Sequence, residues 1–238
     1  MTSRLRHRLS SALFLLASVS AALAQPKSKL ALVGGMLLDG YEVPPVHHAA
    51  VLIEGDRIVA AGPASEIAIP SDAVVVDTSG RTMLPGLIDV HVHLQILGHG
   101  DYAAWDPWIA KNGLVERVGE ISAKQLLMAG VTSAVDLGGT LKESLAVRDR
   151  IDRGEIPGPR MSMSGPWITR DLGDYSPVLP NQLHVDTPAQ AAAAVDRLAS
   201  AGVDVIKAYV ALAPAHYRAI VDAAHRRHLK VHAHVYDP

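Results

Sequence analysis

Strand and helix patterns alternate after residue 85, an all-β pattern precedes them, and only five strands of the alternating kind can be counted. These three observations predict an α/β chain: an incomplete (β/α) barrel of the TIM type, strands 1–5, behind a short β segment. With 238 residues, 49% hydrophobic and 19% charged, the composition is globular and supplies one sizeable core. Aromatics are only 4%, so Ala, Val, Leu and Ile must build that core. The formal charge of −2 and the lack of a basic block after the N-terminus argue against a nucleic-acid partner.

The first 24 residues read as a secretory signal peptide. Arg4, Arg6, His7 and Arg8 form a positive start, Ala12 to Val19 an apolar stretch, and Ala22-Leu23-Ala24 a small-x-small cleavage site before Gln25. The apolar stretch is shorter than the roughly 20 residues of a spanning helix, so no stable membrane anchor is expected. Cleavage near Ala24 implies a periplasmic or secreted product. The sequence holds no cysteine, which excludes a disulfide framework.

Residues 25–84 form the β segment. Leu30–Val33 is a first strand. Ala50–Glu54 and Arg57–Ala60 flank Gly55-Asp56, a two-residue hairpin turn with glycine first. Ala73–Asp77 and Thr82–Leu84 follow, with a turn at Ser79-Gly80 between them. From Pro85 onward, strands are expected at 87–93, 131–136, 160–164, 203–209 and 230–234, and helices at 114–129, 141–153, 188–201 and 214–227. Thr187 caps a helix that has Pro188 at its first position, and Gly130 and Gly202 close two others. The 165–186 stretch is rich in Pro, Gly and Asp and reads as a loop. A closed barrel needs eight strands. No residues are left for strands six to eight, so the chain reads as the N-terminal part of a larger protein.

The chemistry concentrates in three places. In Pro85-Gly-Leu-Ile-Asp-Val-His-Val-His-Leu94, strand alternation puts His91 and His93 on one face, half of a chelating site for a divalent metal. Lys207 lies inside the apolar run Val205-Ile-Lys-Ala-Tyr209. Burial there favours the neutral amine, which can add carbon dioxide to give a carbamate able to bridge two metals. His232 and His234 share a face at the end of the last strand. Tyr209 lies beyond Lys207 on the same face and either reaches substrate or packs. His99 follows the first strand as a weak candidate for substrate contact. Asp136 either faces the pocket or starts a turn. His216, His225 and His228 are expected on exposed helix faces.

The Pro-Gly-Leu-Ile-Asp-x-His-x-His segment resembles the first barrel strand of the amidohydrolase superfamily. The likeness runs along nearly all of residues 25–238, and it is greatest for the branch of imidazolonepropionases and Xaa-Pro dipeptidases. The resemblance implies that residues 25–84 are part of a small β-sandwich and residues 85–238 a partial hydrolase barrel. It further implies a two-metal centre held by His91, His93, carboxylated Lys207 and His232. Aligning the apolar run before the last pair selects His232 as the ligand, while His234 lines the pocket or orients a ligand; the opposite assignment stays open. Zinc suits such donors, with Mn²⁺, Fe²⁺ and Co²⁺ as alternatives. The implied reaction is hydrolysis of amide, peptide or cyclic-amide C–N bonds by a metal-activated hydroxide, on a small molecule or dipeptide. Complete relatives carry a further histidine after strand six and a catalytic aspartate after strand eight. Neither maps onto this chain, and Asp237 matches no family ligand. A second expectation is therefore an inactive fragment, or a metal-binding half that needs a complementing chain or a homo-oligomer.

Overall fold

The computed structural model describes residues 28–41, 43–96, 101–170 and 179–234, with Tyr102 and Ala103 described by their backbone alone. The signal-peptide segment, His99 and Asp237 lie outside these residues. The chain divides into two compact units, with the boundary in the sequence between Pro85 and Gly86.

The first unit is all β. Strands β1 (Lys29–Val33), β2 (Met36–Leu37), β3 (Ala49–Glu54), β4 (Arg57–Pro63), β5 (Val74–Asp77) and β6 (Thr82–Met83) form a four-stranded sheet in the order β4-β3-β1-β5 and a separate parallel pair β2-β6. β3 and β4 are the expected hairpin, and Gly55 turns it with φ +62°, a conformation that costs glycine little. Alternating apolar residues bury Ala49 and Val51 with Leu37 and Met83 in a small core. Thr78 is buried behind β5, where its Oγ1 accepts the N–H of Gly35 at 3.0 Å.

The second unit alternates strands and helices: β7 (Leu87–Val92), α1 (Tyr102–Lys111), α2 (Val115–Met128), β8 (Val131–Asp136), α3 (Leu141–Asp152), β9 (Arg160–Met163), β10 (Trp167–Thr169), β11 (Gln182–His184), α4 (Pro188–Ala201), β12 (Val205–Ala208), α5 (Pro214–Arg226) and β13 (Lys230–Ala233). All of its strand pairs are parallel, in the orders β7-β8-β9 and β11-β10-β12-β13. Asp204 N–H, just before β12, donates to Met163 O of β9 at 2.9 Å and links the two sheets, while Ile168 of β10 pairs with Ala208 further along β12. β9 and β10 thus act as one strand broken at 164–166. Among the described residues, β7, β11 and β13 are edge strands.

Helix ends follow local chemistry. Thr187 and Gln190 form a reciprocal capping box around Pro188, and Gly202 ends α4 in the left-handed conformation. Apolar faces of α4 and α5 meet β10 and β12 through Val195, Leu198, Ile220, Ile168 and Ile206. A second core, including Ala123, Val147, Met161 and Met163, lies under α2 and α3. No helix among the described residues is long and apolar enough to cross a membrane.

Three expectations are corrected. The 165–186 stretch is not all loop: it contains β10 and β11, each only three residues long. An additional helix, α1, follows β7 and carries Pro107 inside it. His216 is buried rather than exposed, its Nε2 lying 3.1 Å from the carbonyl oxygen of Asp186, whereas His225 and His228 are exposed.

Candidate metal centre

Strand alternation sets which residues face the site. Val92 and Leu94 pack into the core under α2 and α3, so His91 and His93 turn to the opposite face of β7. Ile206 and Ala208 pack under α4 and α5, which turns Lys207 the other way. Val231 joins that same core, leaving His232 and His234 on the face of Lys207. In the parallel register of β12 and β13, Lys207 stands opposite His232.

Close backbone contacts anchor β7. A Cβ at Gly86 would overlap the Thr132 side chain, so glycine here lets β7 lie tight against β8. Leu87 N–H donates to Gly130 O at 2.9 Å, and Leu137 N–H donates to Val92 O at 3.0 Å. Gln95, just past the strand, accepts from the Thr140 amide at 2.7 Å and from its hydroxyl at 3.0 Å.

Five rings form a closed circuit at this end of the sheet. His91 and His93 meet edge-on with centroids 5.2 Å apart, and His93 meets Trp167 at 6.0 Å. Trp167 stacks on Tyr209 at 4.9 Å, Tyr209 lies 5.0 Å from His234, and His234 returns to His91 at 5.2 Å. Histidines from β7 thereby meet a histidine that follows β13, with residues of β10 and the end of β12 between them. Gly138 makes room for this circuit: a Cβ there would overlap the Trp167 ring and come within 3.2 Å of His93 Nδ1.

Electrostatics single out Lys207. It is 1% exposed, and burial brings its pKa down to about 8. Burial also lowers the four imidazoles, and the positive charge of Lys207 lowers each further. For His93 the fall is to about 4, caused by burial first and then by His91 and Lys207. His91 is lowered by burial, Lys207 and His232; His232 by burial, Lys207 and Lys230; His234 by burial, Lys207 and His91. The imidazoles are therefore neutral near pH 7, the form that donates to metals. His93 Nδ1 is buried beside Gly138 without a well-formed hydrogen bond. Neutral imidazoles around a depressed lysine amine are a donor set compatible with cations once the amine no longer carries its proton. Among the described residues, no three His, Cys, Asp or Glu side chains are gathered as ligands around one point.

Both histidines of the β13 end stay close to the others, since His234 approaches the His91 ring and His232 acts electrostatically on His91. Asp136 belongs to a turn: its Oδ1 accepts the Gly138 N–H at 3.3 Å, and complete burial raises its pKa to about 7. Trp167 and Gly138 were not readable as site residues. The only signals were a tryptophan inside a Pro/Gly-rich stretch and a glycine pair after a strand.

Residues 82–238 match the amidohydrolase family. The chain belongs to that family. A solved structure from Bifidobacterium longum assigned as a prolidase is 28% identical with a TM-score of 0.74, covering 90% of this chain and 51% of that one. A prolidase solved with N-methylphosphonate-L-proline is 26% identical with a TM-score of 0.72, covering 88% of this chain and 56% of the other. The imidazolonepropionase of Cereibacter sphaeroides is 47% identical over 62 residues, 26% of this chain and 15% of that protein. This chain thus spans about half the length of these solved relatives and has their mixed α/β fold. Its relatives are hydrolases.

Proposed function

We propose that the chain carries the N-terminal half of a metal-dependent hydrolase of C–N bonds, with strands β7, β8, β9, β12 and β13 as the first five of a (β/α) barrel and residues 25–84 as part of a β-sandwich. The observation that carries this reading is geometric: buried Lys207 stands opposite His232 in the register of β12 and β13, and the His91 ring meets those of His93 and His234 at 5.2 Å each. His91 and His93 would hold one divalent ion, and His232, with His234 beside it, would help hold a second. Lys207 would bridge the two as its carbamate. Its depressed pKa leaves a fraction of free amine at neutral pH. The amine lone pair attacks carbon dioxide, one N–H proton is released, and a cationic side chain becomes an anionic one. That reversal removes the charge that now lowers the imidazoles. When bound, zinc or a similar ion would supply Lewis acidity to a carbonyl and lower the pKa of a water.

Substrates on this reading are small amides: dipeptides, acyl-amino acids or cyclic amides, met outside the cytoplasm after cleavage near Ala24. Tyr209, beside His234, would contact them. A second reading has a specific observation in its favour, the edge strands β7 and β13, each paired on one side among the described residues: a metal-binding half completed by another polypeptide.

The test is metal content, a ¹³C-carbamate resonance from labelled bicarbonate, and hydrolysis of an amide panel by the chain from Gln25. Metal, carbamate and turnover support the first reading. Metal and carbamate with turnover only after a complementing chain is added support the second. A folded chain that takes up neither metal nor carbon dioxide would falsify both.

A further inference from the structure

The hydroxyl of Tyr217, on the first turn of α5, lies 2.8 Å from the carbonyl oxygen of Tyr209 and 2.8 Å from that of His234. These two carbonyls sit just past the ends of β12 and β13. The last rung of the ladder between the strands is His234 N–H donating to Ala208 O at 3.1 Å. Just past it, a single side-chain proton, that of the Tyr217 hydroxyl, is shared between one carbonyl from each strand end. The phenol ring packs against the core under α4 and α5, so the hydroxyl is held from behind by the helix.

The two residues clamped in this way supply neighbouring members of the aromatic circuit. Tyr209 stacks on Trp167, and His234 closes the circuit onto His91. The ladder holds the N–H side of both residues, Tyr209 N–H donating to Ile168 O at 2.7 Å and His234 N–H to Ala208 O at 3.1 Å, and the Tyr217 hydroxyl holds their carbonyl side.

We propose that Tyr217 is a positioning residue for the candidate centre: its hydroxyl ties the ends of β12 and β13 together and thereby sets where Tyr209 and His234 stand relative to β7. The functional part of this inference rests on the metal-centre reading; the clamp itself does not. Tyr217 touches neither substrate nor ligand on this account, and acts through two main-chain carbonyls. A phenylalanine keeps the ring and its packing and removes only the shared proton.

The test compares Tyr217→Phe with the unaltered chain by three measurements. Histidine ring resonances report the circuit without any metal. The expected result is displaced His234 and His91 signals with His225 and His228 unmoved. Zinc titration is expected to show affinity weaker by about tenfold, the scale on which outer supports of metal ligands act. Thermal unfolding is expected to remain a single transition. In the unaltered chain, the Tyr217 hydroxyl proton is expected to exchange slowly with water, which decides the matter even where the variant does not fold. Unmoved His234 and His91 signals, or a fast-exchanging hydroxyl in the unaltered chain, overturns the clamp. An unaltered chain that binds no zinc but shows displaced ring signals in the variant overturns the metal reading and leaves the clamp standing.

Discussion

β12 and β7 both present candidate ligands on one strand face, but β12 is buried from end to end while β7 lies at a sheet edge. In β12, Ile206 is 0% exposed and Lys207 1%; in β7, Ile88 is 70% and Val90 60% exposed. β12 is held by the largest core of the molecule on one side and by strand neighbours on both edges. Among the described residues, β7 is held on one edge only, through β8, the tight approach at Gly86 and the Gln95–Thr140 bonds. The difference separates two properties that one strand would otherwise confound. Core substitutions in β12 report folding, and substitutions around β7 report the placement of the site.

Ile206→Ala is the strongest way to break this contrast. It should cost about 2–5 kcal/mol, because a buried side chain is removed from a packed core, whereas Ile88→Ala should change stability by less than about 0.5 kcal/mol. Urea unfolding of both variants checks this, and equal losses would mean that β7 is covered in solution.

The pH dependence of stability sharpens the contrast next. The Lys207 pKa in the folded chain is about 8, against an ordinary 10.5. Between those values the unfolded chain holds more protons. Stability should therefore rise with pH through that window, by at most about 1.4 kcal/mol per pH unit from this group, with the penalty fully present below pH 8. Urea midpoints at the two ends of the window, without bicarbonate, measure it. Lys207→Met should remove this contribution, and a rise that persists unchanged in the variant would assign it to other groups.

Gly138→Ala comes third. Its Cβ would collide with Trp167 and press on His93, costing about 1–3 kcal/mol and shifting the His93 ring resonance. An unshifted His93 would show that the circuit has slack on the β7 side. The smallest effect is expected at Ala211, just past β12, whose φ of +61° is left-handed without being glycine. Ala211→Gly should gain no more than about 1 kcal/mol, read as a small rise in melting temperature.

The sequence made the regular parts legible because each carried a repeating signal. β7, β8, β9, β12 and β13 were legible from the regular succession of strand and helix patterns after Pro85, and α4 from Thr187, Pro188 and Gly202. α1 was hidden by Pro107 within it, and β10 and β11 by being too short for any period to show. His216 was readable after all: it shares a helical stripe with Ile220, Ala223 and Ala224, the buried face of α5. Among the site residues, His91, His93, Lys207 and the His232/His234 pair could be picked out from type and spacing. Trp167, Gly138 and Tyr217 could not, because their parts depend on approaches between segments far apart in the chain. A glycine that spares a ring and a hydroxyl that spans two strand ends leave no local pattern.

Trp167 also makes the centre visible to light. Of the three tryptophans, Trp105 and Trp108 are substantially exposed on α1, while Trp167 is buried with His93 at its edge and Tyr209 against its face. Its indole emission is expected toward the blue and shielded from iodide, with that of the other two red-shifted and readily quenched. An event that changes the charge on His93, whose ring lies 6.0 Å from that of Trp167, is expected to alter the quenching of that buried fluorophore. The protein therefore carries its own optical gauge of the candidate site, legible without label, substrate or turnover.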